Sequence, residues 1–525
     1  MEPPIDAPVP LPPRGIASAA ALLAVGNGSS RIMGLVREQV FAALFGATGA
    51  MSAFRTATRL STAVYDLLLS GATTSALVPV FSDYVQAGQL RELSRVVSTF
   101  INLTLLGIGA IVGLLVVAAP LIVQLLGADA AHFELAVELT RIALPSILLL
   151  GVSGVLTAVL YAKRSFTLPA IASTVYNAGV VATALALAPS LSITALVLGL
   201  GCGALLQVLV QLPALRGLGY RPVVDLGHPG VRLILRLYAP VFLGMLVSYA
   251  IVVIDTFLAW QTGVESIAAM AFATTLVQFP IGLVGAAASL AILPSLSRLA
   301  TAGDEDEFVA TLLRGVKAVV LLIVPLGVVL VVLREPIVAV LFQRMAFDAE
   351  ATQRTAIALL AYAPQLPFVV VDQLLIVAFY ARKRTITPVL VGVAGAGVYV
   401  AMALATVAPL GMAGLALANA VQNSAHAVVL YALLAREHAA MRQAAIAGFL
   451  ARVVFSGLAC AGVLLGGAML LSASLKSGGL VIQVVAVSGL GLLGVGAYTL
   501  ALIALQAPER VEVAAILGRV IRRSS

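Results

Sequence analysis

Fourteen long apolar segments separated by short loops constrain most strongly what this chain can fold into. A transmembrane helix needs about 20 apolar residues. Apolar runs bounded by Pro, Gly and charged residues meet this length at approximately 16–44, 51–82, 96–126, 134–161, 167–188, 191–213, 233–260, 264–297, 308–333, 353–381, 386–407, 411–435, 446–472 and 479–505. Only 10% of the residues are charged, which is too few for a water-soluble surface. The sequence therefore predicts an all-α polytopic membrane protein with about 14 transmembrane helices and excludes a soluble enzyme.

Positive charges are distributed unevenly between the predicted loops. Most of the 31 lysines and arginines lie near the termini or in loops on the same side as the N-terminus, whereas the opposite loops carry Arg334, Arg344, Arg354 and Lys476. Short loops rich in Lys and Arg stay in the cytoplasm. We therefore predict that both termini are cytoplasmic. The same distribution explains the net charge of +8 without a nucleic-acid partner.

The two halves of the chain resemble each other. YAKRSFTLP (Tyr161 to Pro169) is similar to YARKRTITP (Tyr380 to Pro388), and LVPVFS (77–82) is similar to ILPSLS (292–297). Matches in the same order indicate an internal repeat. Each copy contains six predicted spans, so both copies have the same orientation and are related by an axis along the membrane normal.

The repeat predicts how the chain is organised. The predicted parts are a Pro-rich cytoplasmic tail (1–15), an N-lobe with spans one to six (16–215), a cytoplasmic linker (216–232), a C-lobe with spans seven to twelve (233–436), an additional helix pair (446–505) and a basic cytoplasmic tail (506–525). Two lobes in parallel repeat suit transport by alternating access.

Charged residues within the first two spans are the main functional signal, because each is costly in the bilayer unless it is paired, hydrated or facing a cavity. They are Arg31, Arg37, Glu38, Arg55, Arg59 and Asp66. Four guanidiniums against two carboxylates favour an anionic ligand, above all a phosphate, which Arg holds with two parallel hydrogen bonds. The alternative is that these residues snorkel or form ion pairs near span ends. That alternative fits Arg55 and Arg141 best.

The later spans carry isolated acids, Asp255 in the seventh and Asp372 in the tenth. Such an Asp is either a site for a proton or a cation, or a helix-packing residue satisfied by a Ser, Thr or Gln. The chain has no P-loop and no H-E-x-x-H motif, and its two cysteines offer no disulfide framework. A transporter is the simplest function for a polytopic protein without a catalytic motif.

Three segments then indicate a family. SRIMGLVREQVFAALFGA (Ser30 to Ala47), QFPIGLVGAAASLAILPSLSRLA (Gln278 to Ala300) and REPIVAVLFQRMAFDAEAT (Arg334 to Thr352) resemble the lipid II flippase family MurJ/MviN of the MOP superfamily. The resemblance implies two six-helix lobes, two additional helices and a cationic central cavity. It also implies a bacterial inner-membrane transporter that moves a polyprenyl-pyrophosphate-linked cell-wall precursor to the outer leaflet.

The resemblance adds residues to the predicted site. The whole predicted substrate site consists of Ser30, Arg31, Arg37, Glu38, Arg55, Arg59, Asp66, Asn177 and Gln278. Asp255 matches an acid that belongs to a sodium site in some family members, so sodium or the membrane potential is expected to drive transport, with no other cofactor. The expected partners are the lipid-linked glycan, membrane lipids and cell-wall synthesis proteins.

Two positions depart from the family pattern, because Tyr65 and Thr275 stand where arginines of the cavity are expected. Arg55 and Arg59 are candidates to compensate for the lost charge. Three alternatives follow: a flippase for another lipid-linked oligosaccharide, a MATE-like cation-coupled drug exporter, and an inactive scaffold paralogue. A cation exporter should line its cavity with acids and aromatics, whereas arginine is in excess here.

Overall fold

The computed structural model describes residues 13–67, 76–438, 441 and 446–505. Its helices are α1 (Pro13–Phe45), α2 (Gly49–Tyr65), α3 (Val78–Gln86), α4 (Leu90–Leu103), α5 (Gly109–Val117), α6 (Ala119–Leu125), α7 (Phe133–Ala143), α8 (Ser146–Ala162), α9 (Thr167–Leu191), α10 (Thr194–Gln211), α11 (Pro229–Gln261), α12 (Ser266–Ala302), α13 (Glu305–Val332), α14 (Arg334–Phe342), α15 (Ala349–Tyr362), α16 (Leu366–Ala381), α17 (Ile386–Leu410), α18 (Met412–Glu437), α19 (Ile446–Leu470), α20 (Ser472–Ser477) and α21 (Leu480–Ala504). The predicted C-terminal tail and most of the predicted N-terminal tail lie outside the described residues.

The described backbone confirms the all-α membrane fold, since helices satisfy every backbone polar group where water is absent. Within the described residues, all fourteen apolar segments contain helical backbone. Ten stretches are long and apolar enough to cross a membrane: Leu90–Val117, Phe133–Ala162, Thr167–Leu191, Thr194–Leu215, Ser266–Gly285, Glu305–Val332, Ala349–Ala381, Ile386–Leu410, Ile446–Leu470 and Leu480–Ala504. The count of fourteen spans therefore stays a prediction.

Two compact units divide the chain, residues 1–268 (the first unit) and 269–525 (the second unit). The repeat predicted a boundary in the linker at 216–232, which would assign α11 to the second lobe. In the structure α11 packs within the first unit instead. His228, which caps this helix, lies 2.8 Å from Glu92 through its Nε2 atom, and Trp260 donates from Nε1 to Thr56 Oγ1 at 3.1 Å.

The internal repeat is visible in backbone conformation. Helices α9 and α17 both contain 25 residues. Each ends at a residue in the left-handed region, Ser192 (φ 49°) and Gly411 (φ 56°). The loop before each helix also contains one left-handed residue, Arg164 (φ 57°) and Lys383 (φ 59°). A positive φ is uncommon for a residue other than Gly. Its recurrence at matching points therefore supports a common origin for the two copies.

Close helix contacts position the first unit's polar side chains. Helices α9 and α10 approach most closely at Gly203, where an added Cβ would lie 2.6 Å from the backbone oxygen of Tyr176. Helix α1 packs along α9, and α2 packs along α7. Small residues permit this approach between membrane helices. Side chains of α1, α2 and α9 consequently meet inside one unit.

Candidate functional site

Two arginines share one buried carboxylate in the first unit. Arg37 Nη2 donates to Glu38 Oε1 at 2.9 Å, and Arg55 donates to both carboxylate oxygens of Glu38. Glu38 is only 3% exposed. Two guanidiniums against one carboxylate leave this cluster with a net positive charge. The sequence offered snorkelling or an ion pair near a span end as the alternative role of Arg55, and the structure shows the ion pair. Helix α2 begins at Gly49, which places Arg55 almost two turns inside the helix.

Neighbouring side chains hold the two guanidiniums in place. Arg37 Nη1 donates to Asn177 Oδ1 on α9 at 2.9 Å, as the grouping of these residues in one predicted site requires. The Phe41 ring lies 5.8 Å from the guanidinium carbon of each arginine. Phe41 and Phe54 pack edge to face at 5.4 Å. Aromatic faces attract cations, and these rings also keep water away from one side of the cluster.

A cavity of about 190 Å³ opens beside the cluster. Its polar lining, apart from Arg37, consists of Arg55, Thr58, Ser61, Thr62, Tyr65, Ser146 and Tyr176. Arg55, Thr58, Thr62 and Tyr65 are spaced i, i+3, i+7 and i+10 along α2, so they lie on one face of the helix. The sequence analysis missed the three hydroxyl-bearing residues of this face, although their helical spacing can be read from the sequence. Tyr65, which stands where the resemblance predicts an arginine, lines the same cavity.

Arg59 has a different partner from Arg55, although the two share a helix. Arg59 Nη1 donates to Asp255 Oδ2 at 2.9 Å and to Thr256 Oγ1 at 3.1 Å, both on α11. Asp255 is thus not isolated. A guanidinium already neutralises its carboxylate, and no group of three or more acidic, His or Cys residues suited to a metal exists among the described residues. This arrangement does not fit a resident sodium ion at Asp255.

The other predicted site residues lie apart from the cluster. Asp66 accepts from the Tyr249 hydroxyl at 2.7 Å. Arg31 is exposed and makes no hydrogen bond or ion pair within the described part of the chain. Ser30 is half-buried on the same helix. Gln278 is exposed and belongs to the second unit. Of the predicted substrate site, the structure therefore brings together Arg37, Glu38, Arg55 and Asn177.

The second unit contains an apolar groove of about 710 Å³. Helices α13, α16, α18 and α19 line it with Val, Leu and Phe side chains. Lys317 is the charged residue of the lining, and its Nζ lies 5.6 Å from the Phe449 ring centroid. Such a surface suits a hydrocarbon chain and not a polar headgroup.

Asp372, the second isolated acid of the sequence, is paired in the second unit. Its Oδ1 lies 2.6 Å from Nδ1 of His426 on α18. The other ring nitrogen of His426 lies 3.1 Å from the backbone oxygen of Pro388 on α17. The sequence left two roles open for Asp372, a proton or cation site and a packing residue satisfied by a Ser, Thr or Gln, and its partner in the structure is a histidine.

Ion pairs also join helix ends in the second unit. Arg384 Nη1 donates to both oxygens of Glu437, at 2.5 and 2.7 Å. Arg382 pairs with Glu305 at the start of α13 and stacks 4.4 Å from the Phe308 ring. The hydrogen bond from Arg384 lowers the pKa of the Glu437 carboxyl. These contacts tie the α16–α17 loop to the ends of two other helices.

Together, the spanning helices, the cavity with buried arginines and the separate apolar groove define a polytopic membrane transport protein. The family model "Lipid II flippase MurJ" matches residues 41–486. The "Lipid II flippase MurJ" of Burkholderia cenocepacia is 32% identical over 429 residues, covering 78% of this chain and 82% of that protein. The "Probable lipid II flippase MurJ" of Haemophilus influenzae is 31% identical over the same length, covering 78% and 84%. This chain belongs to the lipid II flippase MurJ family.

Solved structures agree on the fold. The structure titled "Lipid II flippase MurJ, inward closed conformation" has a TM-score of 0.76 and 23% identity, covering 92% of this chain and 100% of that one. An inward-facing MATE multidrug resistance transporter of the MOP superfamily gives 0.68 and 15% identity, covering 79% and 96%. The drug exporters are therefore related in fold alone.

Proposed function

We propose that this chain moves lipid II from the inner to the outer leaflet by alternating access, with Arg37 and Arg55 holding the diphosphate. Family membership supplies the substrate class. The observation that carries the proposal is the buried cluster of two guanidiniums and one carboxylate beside a hydroxyl-lined cavity. An anion in the membrane interior needs such fixed positive charge, because water is scarce there.

The Arg37 side chain supports this role in detail. Its Nη atoms donate to Asn177 and Glu38, whereas its buried Nε has no acceptor among the described residues. A buried donor without a partner is costly and is rarely left so. A phosphate oxygen would satisfy it at the cavity wall. Each hydrogen bond to a charged group contributes roughly 1.5–3 kcal/mol.

We assign the polyprenyl tail to the apolar groove of the second unit. Burial of hydrocarbon contributes about 0.8 kcal/mol for each methylene relative to water. Within a bilayer the gain is smaller, so the groove selects by shape. Phe449 and Val453 on α19 form part of its wall. The first helix of the additional pair thereby acquires a function.

For energy coupling we favour the membrane potential over sodium at Asp255, since Arg59 already neutralises that carboxylate. An anionic headgroup moving outward gains about 2.3 kcal/mol for each charge and each 100 mV of inside-negative potential. The proposed direction of transport therefore needs no ion bound at Asp255. Cell-wall synthesis proteins remain proposed partners.

Growth rescue tests the proposal. In a bacterium depleted of its own flippase, this chain should restore growth, whereas Arg37→Ala and Arg55→Ala should not. Arg37→Lys should rescue partly, because it keeps the charge but loses the two-pronged geometry. Arg141→Ala is the matched control, since Arg141 is exposed at the end of α7. Lysis with the unaltered chain would contradict the proposal.

Headgroup specificity separates lipid II from another lipid-linked oligosaccharide. Tyr65 supplies a hydroxyl where the family has a charge, which favours a test with more than one glycan. Purified protein should bind lipid II more tightly than the same polyprenyl diphosphate carrying an unrelated glycan. Equal affinity would assign a broader substrate class.

We also propose that both termini face the cytoplasm. In a variant lacking Cys202, a cysteine at Gln261 should react with an impermeant probe from outside, and cysteines at Gln89 and Ala302 only after permeabilisation. All three positions are exposed. Gly49 is not a suitable labelling position, because the Cβ of an introduced cysteine would lie 2.3 Å from the His132 ring.

A further inference from the structure

We propose that Asp372 and His426 form a proton-binding site whose occupancy controls the packing of α16, α17 and α18 in the second unit. This inference rests on the proposed transport function and adds a coupling ion to it. The three helices meet here through one side chain of α16, one of α18 and the backbone of α17. The Asp372 and His426 side chains are 18% and 14% exposed.

Donor and acceptor accounting places one proton between the two side chains. The Pro388 oxygen only accepts hydrogen bonds, so His426 must donate to it from Nε2. Nδ1 then faces Asp372 Oδ1 at 2.6 Å. If the carboxylate is ionised, Nδ1 must donate and the ring is an imidazolium. If the ring is neutral, the carboxyl must carry the proton. Both descriptions hold one proton between the pair and give it a net charge of zero.

Loss of that proton removes one of the two contacts of the ring and leaves the pair with a net charge of −1. A neutral imidazole keeps a single N–H, so it can donate to the Asp372 carboxylate or to the Pro388 oxygen but not to both, and the other acceptor then faces a nitrogen lone pair. Val370 and Leu375 near Asp372 on α16 are fully buried and apolar. An unpaired charge in such surroundings is costly, so the pair must separate or admit water. Proton release therefore loosens the junction of the three helices.

A row of polar side chains on α18 ends at the Asp372–His426 pair. Asn419, Asn423 and His426 lie at i, i+4 and i+7, on one face of the helix. Asn423 Nδ2 donates to Gln365 Oε1 at 2.6 Å and to Asn419 Oδ1 at 3.2 Å. Gln365 is 5% exposed. This chain of amides extends the polar surface within an otherwise apolar unit.

Other charged groups on the packed helices have different contacts. Arg314 on α13 pairs with Glu307, and Arg354 on α15 pairs with Glu350. Lys317 lies over the Phe449 ring. Helix α17 carries no charged residue. The remaining charged or titratable side chains on these elements are Glu305, Asp306, Tyr362, Tyr380, Tyr399, Tyr431, Arg436 and Glu437. No described hydrogen bond or ion pair joins any of them to Asp372 or His426.

The first experiment measures protonation without any transport assay. The melting temperature of the purified full chain is followed from about pH 5 to about pH 9, which brackets histidine ionisation. The wild type should lose a few degrees as the pair releases its proton. Asp372→Asn, which keeps the shape, and His426→Gln should both abolish this step. Asp306→Asn, an exposed acid on α13, should retain it.

Two further measurements test whether His426 titrates and whether its proton affects transport. Deuterium exchange at the ring C2–H of His426 in the wild type reports its titration directly, and a flat profile across the range would overturn the proposal. Persistence of the melting step in both pair variants would overturn it as well. In vesicles, an imposed pH gradient should change the transport rate of the wild type and leave that of Asp372→Asn unchanged. A normal melting step with no lipid II transport would reject the proposed function and retain the proton site.

Discussion

The interiors of the two units differ in the kind of charge that they hold. The first unit contains Arg37, Arg55 and Glu38, and a guanidinium stays charged at any physiological pH. The second unit contains Asp372 and His426, for which we propose one shared proton. The repeat gives both units similar helices. Fixed charge therefore suits ligand binding in the first, and titratable charge suits switching in the second.

The loops that precede α9 and α17 show the same divergence on a common backbone. Lys163 donates to the backbone oxygens of Ala214 and Arg216, at 2.9 and 3.1 Å. The equivalent Arg382 instead pairs with acids, Glu305 and Glu437. Equivalent backbone thus does not fix equivalent electrostatics, because one side-chain replacement changes the set of available partners.

Glu38→Gln should give the largest effect. It leaves two guanidiniums without their carboxylate in a buried setting, where breaking an ion pair costs about 3–5 kcal/mol. Reversible unfolding in detergent measures the loss. Asp66→Asn is the control in the same unit, because the asparagine amide oxygen can still accept the hydrogen bond from the Tyr249 hydroxyl, so a smaller loss is expected. Equal losses would show that Glu38 is not the centre of a charge cluster.

Gly203→Ala should give the next largest effect. The new Cβ would lie 2.6 Å from the Tyr176 backbone oxygen and 2.9 Å from Val180 Cγ2, so α9 and α10 must separate. Overpacking of this kind costs about 1–3 kcal/mol. Because Tyr176 lines the cavity, diphosphate affinity should fall too. Gly201→Ala has open space and should not destabilise the protein. Unaltered diphosphate affinity in Gly203→Ala would show that the shape of the cavity does not depend on the packing of α9 against α10.

Arg59→Ala should make the first unit sensitive to sodium. Without the guanidinium, the Asp255 carboxylate loses the cation that it contacts at 2.9 Å. Sodium in place of choline should then stabilise the variant by about 1 kcal/mol, the effect of a ligand at a few times its dissociation constant. Arg59→Lys keeps a tethered cation and should stay insensitive. Sodium sensitivity in the wild type of the same size would contradict the proposed neutralisation of Asp255 by Arg59.

Glu437→Gln should give the smallest effect, a loss of stability that is present at neutral pH and disappears in acid. The pKa of Glu437 is lowered by the hydrogen bond from Arg384, so the folded chain binds this proton more weakly than the unfolded chain. The resulting stability is complete above the ordinary pKa of 4.5 and is lost as the pH falls through the lowered value. Partly exposed ion pairs contribute up to about 1 kcal/mol. The melting curve of Glu437→Gln should lack this acid-dependent increment, and that of Glu134→Gln should keep it.

Helices and the repeat could be predicted because long apolar runs and repeated Pro and Tyr positions are properties of the sequence. Arg37 and Glu38 were also predictable, since buried charges in a span stand out. Partners on other helices were not. Spacing along α2 shows that Arg55 and Arg59 share a face, but it does not show that one binds Glu38 and the other Asp255. Such pairing depends on helix packing between distant parts of the chain.

The left-handed ends of α9 and α17 give the molecule an internal reference. Ser192 occupies in one copy the conformation that Gly411 occupies in the other. A side chain in this region carries strain that glycine avoids. Exchanging the two residues would therefore compare one turn with two residue types inside a single polypeptide, under identical solvent and expression. In a duplicated fold of this kind, one copy therefore serves as the control for a substitution made in the other.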